Sequence, residues 1–169
     1  MALGIQVVVI LIFQRPLWWL YLLMMGYLAL MTVEFFVPKW LNTKTLLYMF
    51  SHMFIMPLFD LYSSGIDWQL NGAGLHQGIW IFVAVSFFNG TVLEVGRKIR
   101  VPKNEELGIK TYTQALGTKA AGVFWLALLS ITFALAMWAL AYADIGWFSQ
   151  LILMGSYLLL AIPGVLFCI

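Results

Sequence analysis

Long apolar runs follow one another along this chain, and short polar intervals separate them. The first run, residues 1–13, would span only ~20 Å as a helix, short of a ~30 Å hydrocarbon core. It has neither a basic flank nor a small-residue cleavage site, so it is not read as a signal peptide. It reads instead as the second half of a helix ending at the Gln14-Arg15-Pro16 turn. Five full membrane helices are predicted after it, over residues 17–37, 45–66, 75–98, 118–143 and 148–168. Pro38 stops the first of these, and Asn42-Thr43 stand where they can cap the second. Pro57 removes a backbone hydrogen bond inside that second helix, so a kink is expected there, which membrane bundles tolerate. A Gly-rich turn over 67–74 and the tripeptide Asp144-Ile145-Gly146 make two of the connections. The C-terminal LAIPGVLFCI also stops inside an apolar run, so both ends suggest an incomplete chain or one part of a split protein. The expected fold is all-α: a polytopic transmembrane helix bundle, five full helices plus a partial N-terminal one. It forms a single membrane domain over 1–169 without internal repeats.

Composition agrees with a lipid solvent. Of the 169 residues, 63% are hydrophobic and 9% charged, and the mean hydropathy is +0.95. An ordinary soluble domain carries roughly 25% charge. A single cysteine, Cys168, excludes an internal disulfide and a cysteine-based metal cluster. The abundant Trp, Tyr and Phe suit interfacial belts and apolar pocket walls. There is no Walker loop, HExxH, GxSxG or GxGxxG. No basic patch with interleaved aromatics points to nucleic acid.

Charge changes the picture more than composition does. The chain holds nine Lys/Arg and seven Asp/Glu, and nine of these charges fall between Glu94 and Lys119. That stretch joins two apolar runs, so it is expected to be an ordered loop at a membrane surface. Lys39 and Lys44 flank another turn on the same side. The alternate turns hold Asp67 and Asp144, with Arg15 as their one base. The bias of basic residues places the Lys/Arg-rich loops in the cytoplasm.

Polar groups kept beside hydrocarbon usually have a task. Glu94, Glu105 and Glu106 interleave with Arg97, Lys98, Arg100 and Lys110. Mg²⁺ favours a few carboxylates plus substrate phosphate oxygens, and Lys or Arg neutralises the remaining charge. This set could therefore hold Mg²⁺ against an anionic phosphate ester. Gly90, four residues before Glu94, would leave space on the same helical face. The plainer alternative pairs Glu94 with Arg97 or Lys98 at helical spacing, with the bases fixing topology and meeting anionic lipid. Glu34, at similar depth, either faces a shared cavity or pairs with Lys39. His52, Asp60, Tyr62 and Ser63 share the kinked helix. His52 and Asp60 stand ~12 Å apart in height, so they cannot share one proton or metal, and helix-joining hydrogen bonds are the simpler reading. Glu34, His52 and Tyr112 are the candidate cavity residues.

The loop NGTVLEVGRKIRVPKNEELGIKTYTQALG resembles the second polar motif of the UbiA-type intramembrane prenyltransferases. In that superfamily an Asn- and Asp-containing helix end precedes acidic residues and a G-[VI]-K-[ST]-like exit. The segments EFFVPKWL and SHMFIMPLFDLY resemble bacterial members as well. The resemblance covers nearly the whole chain, as the middle and C-terminal part of a roughly nine-helix fold. It implies transfer of an isoprenoid tail from an allylic diphosphate to an aromatic or related acceptor in a lipid-facing cavity. Mg²⁺ would neutralise the departing diphosphate, and apolar walls would shield the allylic cation. The resemblance implies Glu94 as the first motif carboxylate and Glu105 or Glu106 as the second. Asn89, Arg97, Lys98 and Arg100 would be diphosphate contacts, and Lys110 and Thr111 would form the exit. Two departures stand out. Glutamates replace the usual aspartates, and the family's other motif, NDxxDxxxD, is absent. The expectation is a partial family member, inactive alone and completed by another chain. The rival expectation is a non-catalytic accessory subunit of a larger membrane complex, holding a quinone, pigment or lipid. A transporter is a third option, but broken paired helices and an inverted repeat are not evident.

Overall fold

The computed structural model describes residues 12, 15–70, 72, 76–105 and 111–169. The predicted partial helix, apart from Ile12, therefore lies outside the described residues, as do Gln14 and residues 71, 73 and 74 of the expected Gly-rich turn, whose first four residues are instead helical. The elements are α1 (Trp18–Thr32), α2 (Pro38–Leu41), α3 (Thr45–Met53), α4 (Ile55–Leu70), α5 (Gly78–Arg97), α6 (Tyr112–Leu116), α7 (Thr118–Tyr142) and α8 (Trp147–Cys168). No strand occurs among the described residues. Helices α5, α7 and α8, of 20, 25 and 22 residues, are long and apolar enough to cross a membrane. That is the mark of an integral membrane protein. Little of the α7 and α8 spans is covered by the rest of the chain, which suits a lipid surround.

The first two predicted membrane helices take a less regular course. Helix α1 has 15 residues, a length of ~22 Å. It ends because Glu34, Phe35 and Phe36 turn left-handed, with φ of 47°, 54° and 61°. Each such L-residue costs roughly 1–2 kcal/mol. The turn is closed by Phe36 N–H donating to Val33 O at 3.0 Å and Val37 N–H donating to Glu34 O at 3.1 Å. The Phe35 ring sits edge-on to both Tyr27 and His52, contacts that offset the strain. Pro38 does not follow a completed helix but opens α2, where its missing N–H is harmless. Asn42 and Thr43 bond backwards rather than capping α3: Asn42 Nδ2 donates to Pro38 O and Thr43 Oγ1 to Trp40 O.

The kink expected from Pro57 is a break at Phe54, between α3 and α4. The proline cannot donate to the carbonyl four residues earlier, Met53, and its ring crowds that group. The helix therefore yields on the N-terminal side of the proline. Two apolar cores hold the bundle. Leu17, Leu20, Met24, Leu58 and Tyr62 join α1 to α4. Met49, Val92, Val95, Tyr112, Ala121 and Leu128 join α3, α5, α6 and α7. The α5–α7 and α7–α8 pairs make the most extensive helix contacts. Trp125 of α7 ties the first pair by donating its indole N–H to Val92 O at 3.0 Å.

Candidate functional site

The chain between α5 and α7 folds back on the end of α5. Tyr112 N–H donates to Lys98 O at 3.1 Å, and Arg100 N–H donates to Thr113 Oγ1 at 3.3 Å. Gly117 ends α6 with φ of 85°, a backbone state that glycine adopts without steric cost. The chain turns there into α7.

Glu94 lies on the last turns of α5 with its side chain 11% exposed. Arg97 Nη2 donates to its Oε2 at 2.5 Å, and Lys98 Nζ approaches Oε1 at 2.6 Å. The ion pairing offered by helical spacing is therefore present, with both partners. Tyr112 is buried in the core beside this pair. Burial pushes its phenol well above its ordinary value, the Glu94 carboxylate pushes it further, and Arg97 partly opposes them. Tyr112 is thus a neutral donor at any physiological pH.

Glu105 forms a second cluster. Thr111 Oγ1 donates to it at 2.8 Å, Thr113 Oγ1 at 2.5 Å and Gln114 Nε2 at 2.9 Å. Thr111 Oγ1 also accepts from Gln114 N–H at 3.1 Å, capping α6. The Thr113 hydrogen bond holds the Glu105 carboxyl below its usual value, with Thr111, Arg100 and Gln114 adding to the effect against partial desolvation. Thr113 and Gln114 were not among the residues singled out from sequence. The signal available was a threonine three residues before Gln114, the spacing of a helix N-cap.

The remaining candidates scatter. Glu106 and Lys110 lie outside the described residues. Asn89 is exposed on α5, one to two turns before Glu94. Arg100 opens with Lys103 and Asn104 onto a 690 Å³ cavity that Arg97 and Lys98 do not line. Glu34 and His52 belong to another neighbourhood. Asn42 Nδ2 donates to Glu34 Oε2 at 2.8 Å, and no ion pair joins Glu34 to Lys39 among the described residues. His52 Nδ1 donates to Tyr48 O at 2.8 Å, and its ring stacks on Tyr48. Tyr112 is therefore grouped with Glu94, while Glu34 and His52 flank Phe35. Asp60 keeps one carboxylate oxygen buried without a hydrogen-bond partner. An apolar cavity of 710 Å³ lies at the far end of α5, lined by Ile81, Val85, Ala139, Tyr142 and Ile152 among others.

Among the described residues, no three of His, Cys, Asp and Glu stand together as a metal-ligand group. Carboxylates are the donor type that Mg²⁺ takes, but Glu94 and Glu105 sit in separate clusters and already hold other partners. Each would have to exchange its present partners for the ion. No protein-family model, curated protein or solved structure matches this chain.

Proposed function

We propose that the mouth of α5 binds the diphosphate head of an isoprenoid, and that the chain is part of a UbiA-type prenyltransferase system, inactive alone. One observation carries this reading. Thr111 and Tyr112 are consecutive; Thr111 holds Glu105, and the Tyr112 N–H donates to the carbonyl of Lys98, whose ammonium pairs with Glu94. The folded-back loop thus ties both motif-like carboxylates to one dipeptide, Glu94 with Arg97 and Lys98 as its partners and Glu105 with Arg100 near it. An arriving diphosphate would draw Arg97 and Lys98 onto its oxygens, and charge-assisted bonds to phosphate suit both side chains. That exchange would release the Glu94 carboxylate. Mg²⁺, when bound, would stabilise charge on the departing diphosphate. The buried Tyr112 hydroxyl, kept protonated, would remain a hydrogen-bond donor to that group.

The rival, an accessory subunit of a larger membrane complex, is favoured by a different observation. Both carboxylates are already satisfied, Glu94 by two cations and Glu105 by three donors. Titration of a non-hydrolysable isoprenoid diphosphate against wild type and Glu94→Gln, with and without Mg²⁺, separates the two. The donor reading expects Mg²⁺ to tighten wild-type binding ~10-fold or more and Glu94→Gln to lose that gain. Equal, metal-independent affinities would leave the accessory role.

We also infer that α1 with its following turns, and α3 with α4, complete five crossings; α3 and α4 together cover a rise of roughly 39 Å. The Lys39–Lys44 turn and the Arg97–Lys119 loop then share the cytoplasmic face, by the bias of basic residues. An impermeant thiol reagent should label Lys103→Cys from that face. Labelling only from the opposite face would invert the topology.

A further inference from the structure

Two cavities meet at the end of α5 that carries the loop. The 690 Å³ cavity is lined by Arg100, Val101, Lys103, Asn104 and Glu105, together with Ile99 and Phe167. A 270 Å³ cavity runs from the same Ile99 and Phe167 between α5, α7 and α8, past Trp125, Leu160 and Pro163. The shared pair puts a polar chamber next to an apolar groove. Gly96, Gly122 and Gly164 border the groove; side chains there would collide with Trp125, Leu126, Phe167 or Cys168. The groove is therefore bounded by close helix contacts.

The chamber holds two cations, Arg100 and Lys103, against one carboxylate, Glu105. Glu105 turns its carboxylate onto Thr111, Thr113 and Gln114. The Arg100 guanidinium reaches the Asn104 carbonyl at 3.5 Å, which holds it at the rim. Lys103 is exposed and makes no ion pair among the described residues. A cationic rim above an apolar slot between membrane-crossing helices matches an anionic headgroup carrying a hydrocarbon chain. Basic pockets between transmembrane helices recognise anionic lipid heads by this chemistry.

We propose that this two-part cavity is a binding site for one anionic phospholipid, its phosphate at Arg100 and Lys103 and an acyl chain along Ile99, Phe167 and Leu160. The site shares Glu105 with the proposed donor site, but its cations, Arg100 and Lys103, are not those that pair with Glu94, and its test uses no diphosphate. Leu160 is 50% exposed, as a wall of a lipid-filled slot would be. A soluble phosphate could satisfy the rim alone, but it would leave the apolar slot unused.

Native mass spectrometry of the full chain tests this, with phosphatidylglycerol and phosphatidylcholine of identical acyl chains at equal concentration. Wild type should retain phosphatidylglycerol in preference. Arg100→Gln with Lys103→Gln should cut that retention ~10-fold, toward the phosphatidylcholine level. Leu160→Trp, at an exposed position, should fill the slot and lower retention of both lipids. Lys39→Gln, which removes a base from another loop, should change nothing. Glycerol phosphate, a head without tails, should fail to displace the lipid. Equal retention of the two lipids by wild type would overturn the site. So would undiminished retention in the double variant, an equal loss in Lys39→Gln, or displacement by glycerol phosphate.

Discussion

Thr111→Val is expected to unfasten the loop from the end of α5. Valine matches threonine in shape, so the change deletes the hydroxyl and little else. That hydroxyl is buried, donates to Glu105 and accepts from Gln114 N–H. Losing the helix cap costs about 1 kcal/mol, and the Glu105 carboxylate loses one of its three donors. The local opening free energy should therefore fall by at least about 1 kcal/mol. The amides of Tyr112, Ala115 and Gly117, now bonded to the carbonyls of Lys98, Thr111 and Thr113, should exchange with solvent much faster. Unchanged exchange at these amides would show that Tyr112 packing alone holds the loop. Acid should reach a similar state in wild type. Glu105 has its folded pKa below the ordinary 4.5, so its contribution is complete above the unfolded value. That contribution falls away as pH drops through the lower, folded value.

The polar-to-apolar rhythm of the chain made α5, α7 and α8 legible, because each crossing must be uninterrupted in lipid. The predicted ends at 98, 143 and 168 fall at or next to the observed Arg97, Tyr142 and Cys168. The ion pair of Glu94 was visible as one of two alternatives, since it depends only on spacing along one helix. What joins Glu105 to Thr113 and Gln114 depends on the loop folding back, and no local periodicity encodes that. The turn at Glu34–Phe36 was hidden for a different reason. Left-handed backbone usually announces itself with glycine or asparagine, and here Glu-Phe-Phe adopts it while the Phe35 ring packs against Tyr27 and His52. The break at Phe54 was anticipated in kind from Pro57 but falls where the crowded carbonyl, rather than the proline, gives way. The grouping of Tyr112 with Glu94, and of His52 with Phe35, is tertiary and had no signature in the residues. Clustered charge selected the loop as a candidate site, yet whether its carboxylates exchange their partners for metal is a property of energetics that spacing does not carry.

Gly164→Val should cost far more than the same change at Gly155, nine residues earlier on α8. At Gly155 an added Cβ meets nothing within 4 Å, so valine there would project into lipid. At Gly164 the Cβ would stand 2.7 Å from both Trp125 Cζ3 and Leu126 Cδ2. The indole cannot simply retreat, because Gly96 of α5 faces it with no space for a side chain: a Cβ there would lie 2.9 Å from Trp125 Nε1. Trp125 is held between two glycines, and small residues let membrane helices approach this closely. Overpacking such a contact costs about 1–3 kcal/mol, and displacing the indole from Val92 O forfeits about 1 kcal/mol more. A gap of about 2–4 kcal/mol between the two variants is therefore expected in reversible unfolding from detergent micelles. Equal stabilities would mean that α8 can move away from α7 without penalty. The outcome also bears on the lipid slot, whose walls are these same helices: a destabilised Gly164→Val shows that the slot's width is fixed by close packing rather than by whatever lies in it.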